Sequence, residues 1–141
     1  MLGECNSLIS LDLSNFNTQK VVNMELMFKR CKSILSLDLS SFNTQNVKSM
    51  ENMFSDCSSL ILLNLSNFNT QNVTNIDYMF QNCESLISLD LSNFNTQKLR
   101  DIRYTFYNCN SLILLNLNLS HSYNYKVKYF FNSLINKYSE E

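Results

Sequence analysis

The chain has no proline, one glycine and one histidine. Turns must therefore be made by other residues, and asparagine is the natural substitute. It tolerates left-handed backbone, and its side chain bonds to its own neighbouring backbone. The lone histidine, His121, lies past the repeated stretch and so recurs in no unit. A Gly-rich phosphate loop and a Glu-x-x-His pattern are also missing, so no catalytic constellation is expected and no cofactor or metal is implied. Apolar runs are short of the ~18 residues a membrane span needs. The net charge of −1 gives no basic footprint for nucleic acid. The start "MLGECNSL" lacks the basic-then-apolar order of an export signal.

What the chain does have is repetition. "LDLSNFNTQ" at Leu11 returns as "LDLSSFNTQ" at Leu37, "LNLSNFNTQ" at Leu63 and "LDLSNFNTQ" at Leu89, always 26 residues on. Cys5, Cys31, Cys57, Cys83 and Cys109 keep the same interval, as do Phe28, Phe54, Phe80 and Phe106. A fixed period between 20 and 50 residues marks a repeat architecture. The reading divides the chain into four to five such units over residues 1–117 and a C-terminal segment over 118–141.

Within a unit the spacing changes character. Leu37 and Leu39 flank Asp38, the alternation of a strand with leucines inward. Val47, Met50, Met53 and Phe54 then fall on one face of a short helix, with Thr44 placed as its N-cap. Stacked copies would form parallel strands on one side and short helices on the other, an α/β repeat solenoid. Residues one period apart become neighbours. The columns through Leu11, Leu13, Phe16, Val21, Met24 and Phe28 are the expected core. The cysteines, spaced only by whole repeats, are read as buried free thiols rather than metal ligands.

The segment L-x-x-L-x-L-x-x-F-N resembles a leucine-rich repeat. The whole unit, with "LDLSNFNT" and "MF-x-x-C-x-S-L", resembles the BspA-like surface repeats common in mycoplasmas and other bacteria. That resemblance covers roughly residues 4–117. It implies a leucine-rich-repeat-type solenoid at the cell surface or outside the cell, used in adhesion or host contact, with no enzymatic activity. The alternative is an intracellular scaffold or a non-functional piece of a longer repeat protein.

Two surfaces are candidates for a protein ligand. One is the outward strand column Asp12, Asp38, Asn64, Asp90 and Asn116. The other is Tyr78, Arg100, Arg103, Tyr104 and Tyr107 on the helix side, a composition typical of binding hot spots. In the last segment, Val127, Phe130, Phe131, Leu134, Ile135 and Tyr138 follow helical spacing. They predict an amphipathic helix capping the open end of the stack. At the other end, the expected edge strand Leu8 to Leu13 has little before it, and Val22 and Leu26 lie beside it. An open edge of this kind invites self-association.

Overall fold

The computed structural model describes residues 3–100 and 102–117. The expected capping helix lies outside them. Four short strands run β1 (Ser36–Asp38), β2 (Leu62–Asn64), β3 (Ser88–Leu91) and β4 (Leu114–Leu117). β1 pairs with β2 and β3 with β4, both parallel, in two separate two-stranded sheets. Each residue faces its counterpart one repeat away: Leu37 faces Leu63, and Leu89 faces Leu115. Leu37, Leu39, Leu89 and Leu91 are buried, while Leu63 and Leu115 are half-buried.

The described residues contain no helix, so the expected helix-bearing α/β solenoid is not the architecture. Where the helices were expected, each unit makes consecutive turns. The Met53, Ser55 and Cys57 amides donate three residues back, to the Met50, Asn52 and Phe54 carbonyls. The amides between them go elsewhere. Met50, Asn52, Phe54 and Asp56 donate to the Asn75, Asp77, Met79 and Gln81 carbonyls of the next unit, at 2.8 to 3.0 Å. The same crossing runs from Met24, Leu26, Phe28 and Arg30 to Ser49, Glu51, Met53 and Ser55. It continues from Tyr78, Phe80 and Asn82 to Arg103, Thr105 and Tyr107. Asn23, Ser49 and Asn75 add parallel bridges at its start.

Spacing explains the correction. Packed helices stand ~8–10 Å apart, whereas paired chains stand ~4.8 Å apart. The Phe28, Phe54, Phe80 and Phe106 rings are near-parallel, with centroids 5.5 to 5.6 Å apart. Units this close have no room for a row of helices. A helix would also close its amides on itself, four residues back, and leave none for the neighbour. The turns instead require left-handed backbone at Leu26, Asn52, Tyr78 and Tyr104 (φ 54 to 60°) and at Arg30, Asp56, Asn82 and Asn108 (φ 57 to 62°). These are the third positions of turns that ordinarily prefer glycine or asparagine. Only some of them carry Asn or Asp, so the rest hold a conformation that costs an ordinary L-residue roughly 1–2 kcal/mol.

The turn side is the heart of the core. Met50, Met53, Phe54, Cys57, Met79, Phe80 and Cys83 have essentially no exposure. Burying one such Phe contributes roughly 1.5–3 kcal/mol, and ring stacking adds ~0.5–1.5 kcal/mol. Cys57, Cys83 and Cys109 are free thiols, each donating to the carbonyl of the preceding unit's Phe at 3.0 to 3.2 Å. Burial pushes the Cys57 pKa up to about 12 and that of Cys83 well above its ordinary value.

The threonine column does a different job from the one expected. With no helix to cap, Thr44 Oγ1 accepts from the Asn69 amide (2.7 Å) and donates to the Asn69 carbonyl (3.1 Å). Thr18 and Thr70 hold Asn43 and Asn95 in the same way. These buried hydroxyls staple one unit to the next. Asn17, Asn43, Asn69 and Asn95 each accept, through Oδ1, from the amide two residues on.

The first unit departs from the column rule. Phe16 is 45% exposed where Phe42 is 2%, and Val21 is half-buried. No strand forms over residues 8–13; the Leu35 amide donates to the Ile9 carbonyl (3.3 Å). The chain before it is nonetheless tied down. The Glu4 amide donates to the Lys29 carbonyl, and the Ser33 hydroxyl to the Asn6 carbonyl. Gly3 lies so close to the second turn region that a Cβ there would stand 2.9 Å from the Leu26 carbonyl oxygen.

Candidate functional site

Four of the outward column residues lie on β1 to β4, whereas Asp12 precedes them in a segment that forms no strand. Asp12, Asp38, Asn64, Asp90 and Asn116 are all exposed. Each of the first four accepts, through Oδ1, the amide of the serine two residues on, at 2.8 to 3.1 Å. This contact turns the chain out of the strand. Neighbouring carboxylates are partly separated by asparagines: Asn64 Nδ2 donates to Asp38 Oδ1 at 3.0 Å. The Ser40 amide, then its hydroxyl, holds Asp38 below the usual carboxylate range, and the Ser14 amide does so for Asp12. For Asp90 the Ser92 hydroxyl leads, with its amide next and Asn116 contributing.

Beside this column stands a feature that strand periodicity conceals. Ile9, Leu35, Ile61, Ile87 and Ile113 occupy one position of five successive units, and they are 37 to 82% exposed. Alternation from buried Leu37 would place Leu35 inside. The chain turns before the strand begins, however, so Ile34 is the buried residue and Leu35 faces out. The signal was available in the sequence, because the position after each S-[LI] is aliphatic in every copy. Leu62 and Leu114, both 63% exposed, widen this ridge onto the outward strand positions.

On the turn side the structure gathers part of the second candidate surface. Tyr78 and Tyr104 stack at 5.3 Å, and Tyr107 meets Tyr104 edge-on at 5.9 Å. Arg103 is committed within the fold. Its Nη2 and Nε reach Asp77 Oδ2 at 2.8 and 3.0 Å, and its amide also donates to that carboxylate. Asp77 is almost wholly buried, so this pair joins two units. Arg100 is exposed, and its amide donates to the Thr74 carbonyl. Tyr78, Arg103, Tyr104 and Tyr107 sit on turns, and Arg100 on irregular chain, none of them on a helix face.

A third column was missed in the sequence. Glu4, Arg30, Asp56, Asn82 and Asn108, all left-handed, form a chain of polar contacts along the stack. Arg30 pairs with Glu4 (3.3 Å) and lies 3.9 Å from Asp56. Asn82 Nδ2 donates to Asp56 Oδ1 (2.6 Å), and Asn108 Nδ2 to Asn82 Oδ1 (3.1 Å). Its signal was the recurrence of Asp or Asn just before each later cysteine. Among the described residues, no group of three or more His, Cys, Asp or Glu is placed to hold a metal ion. Nor is any helix among them long and apolar enough to cross a membrane.

Comparison with known proteins gives one match. The family described as "Mycoplasma protein of unknown function, DUF285" matches residues 1–121 and, in an overlapping alignment, residues 59–138. No curated protein and no solved structure matches. Overlap of this kind is what a periodic chain produces, since a family pattern can be laid on it in more than one register. The match spans most of the chain, which therefore belongs to the DUF285 Mycoplasma-type family.

Proposed function

We propose that this chain is a non-enzymatic protein-interaction module of a cell-surface protein, related to the BspA-like surface repeats and used in adhesion or host contact. One observation carries the reading. The fold presents the same outward side-chain types at successive units, giving two long parallel columns, one acidic or amide and one aliphatic. A periodic surface of this kind suits an extended contact with another macromolecule. The aliphatic column gives a particular reason for a partner, because large contiguous apolar patches on a protein surface mark interaction sites.

The address is tested by protease shaving of intact cells that produce the protein, followed by immunoblotting. Loss of the chain from intact cells is expected. Protection until the cells are lysed would overturn the surface reading and leave an intracellular scaffold as the better account. Self-association is read from sedimentation velocity of the purified chain, in which a concentration-dependent shift would show it.

A further inference from the structure

The aliphatic ridge and the acidic column beside it differ from the rest of the surface in being locked together by rung. Where the first outward strand position is serine, the second is aspartate: Ser10 with Asp12, Ser36 with Asp38, Ser88 with Asp90. Where the first is leucine, the second is asparagine: Leu62 with Asn64 and Leu114 with Asn116. From β1 to β4 the rungs therefore alternate, acidic then apolar, acidic then apolar. Every charged residue at these outward positions is an aspartate.

The spacing selects a shape for the occupant. The paired rungs of β1 with β2 and of β3 with β4 lie ~4.8 Å apart. Across the unpaired β2 and β3 the Phe68 and Phe94 rings stand 6.4 Å apart, so rungs of the same kind recur at roughly 10–11 Å. A helix laid along the stack advances ~5.4 Å per turn and ~10.5 Å in seven residues. One apolar residue per turn can then seat between successive members of the ridge. A cation every seventh residue falls opposite Asp38 and again opposite Asp90. An extended strand fits poorly, since its same-face side chains repeat at ~6.8 Å. A second copy of this chain fits poorly too, because it would bring aspartates rather than cations to the aspartates. Like charges so placed are unfavourable.

We propose that the ridge of Ile9, Leu35, Ile61, Ile87 and Ile113, with Leu62, Leu114, Asp38 and Asp90 beside it, docks a cationic amphipathic helix of a partner protein. This rests on the interaction-module reading above and names the partner's chemistry. Apolar anchors would supply the affinity, as in other helix-in-groove contacts, while the carboxylates would set orientation and salt dependence.

The test uses the full chain and a fluorescent synthetic helix of three heptads, with leucine on its apolar face and lysine at one flanking position per heptad. A second peptide carries glutamate in place of lysine. Two double variants borrow residues the fold already accepts one rung away: Leu62→Ser with Leu114→Ser, and Asp38→Asn with Asp90→Asn. By anisotropy, the lysine peptide is expected to bind saturably and more weakly at high salt. Each double variant should lose about tenfold or more, and the glutamate peptide should not bind.

Absence of binding by the lysine peptide would overturn the proposal, as would equal binding of both peptides. Ridge-dependent sedimentation with phosphatidylglycerol vesicles in place of peptide binding would instead assign the ridge to a membrane surface. Ridge-dependent dimers that exclude the peptide would assign it to a second copy. Protease shaving decides the surface reading separately, so failure here is distinguishable from failure there.

Discussion

The two sides of this stack are held together by different amounts of structure. On the turn side, alternate amides from Met24 to Asn82 cross to the next unit, and a four-ring phenylalanine stack is buried behind them. On the strand side, strand pairing is limited to two short sheets, β1 with β2 and β3 with β4, with a few further bonds such as Ile61 to Leu35 and Ile113 to Ile87 beside them. The strand side also exposes its aliphatic ridge, whereas the turn side exposes tyrosines and polar groups. Both sides bury apolar side chains, Leu39, Phe68 and Leu91 on the strand side among them, but the open aliphatic ridge stands on the strand side. A protein that must present a surface gains from this division, because substitutions on the exposed ridge cost little.

The largest expected effect tests that division directly. Phe80→Ala should destabilise the chain by about 3–5 kcal/mol in urea unfolding, the range for an emptied aromatic site. Leu62→Ala, on the exposed strand side, should stay within about 0.5 kcal/mol. Similar losses at the two sites would erase the distinction.

Next is the staple between units. Thr70→Val keeps the shape but removes the buried hydroxyl that serves the Asn95 backbone, leaving a half-buried amide without that acceptor. A loss of roughly 1–3 kcal/mol is expected, against a few tenths for Ser66→Ala at an exposed position.

The thiol column makes the turn side sensitive to alkali. Burial raises the folded pKa of Cys57 from an ordinary 9.0 to about 12, and that of Cys83 well upward. The stability contributed by keeping these thiols neutral is whole below the unfolded value of 9.0 and fades as pH climbs toward about 12. Urea midpoints should therefore fall from about pH 9 upward. The slope should flatten in Cys57→Ala with Cys83→Ala. A slope unchanged by that pair would place the effect elsewhere.

The smallest expected effect is a gain. Arg30 holds a left-handed backbone (φ 62°) that Asn82 and Asn108 hold at lower cost in the same column. Its exposed ion pair with Glu4 is worth little. Arg30→Asn should raise stability by a few tenths to about 1 kcal/mol, and a loss instead would show that the Glu4–Arg30–Asp56 contacts matter more than the backbone.

The columns were legible in the sequence because a constant 26-residue interval leaves little choice about which residues become neighbours. The outward placement of Asp38 and the burial of Phe54 and Cys57 follow from it. The helices were misread for a specific reason. Val47, Met50, Met53 and Phe54 stand at i, i+3, i+6 and i+7, and the run of turns buries the same positions as a helix does. The residues that would have announced turns are Leu26, Tyr78 and Tyr104, none of which favours left-handed backbone. Asn52, Asp56, Asn82 and Asn108 carried the correct signal, but read one unit at a time they look like ordinary surface residues. The ridge escaped because strand alternation places Leu35 and Ile61 inside, and only the turn before each strand brings them out.

The central claim is that the amides of the turn side bond to the next unit and not to their own. In a uniformly labelled sample, the scalar coupling across a hydrogen bond identifies the carbonyl that each amide reaches. The account predicts a coupling from the Phe54 amide nitrogen to the Met79 carbonyl carbon, with parallel couplings from Phe28 to Met53 and from Phe80 to Thr105. A coupling from Phe54 to the Met50 carbonyl, four residues back, would be the mark of a helix and would contradict it.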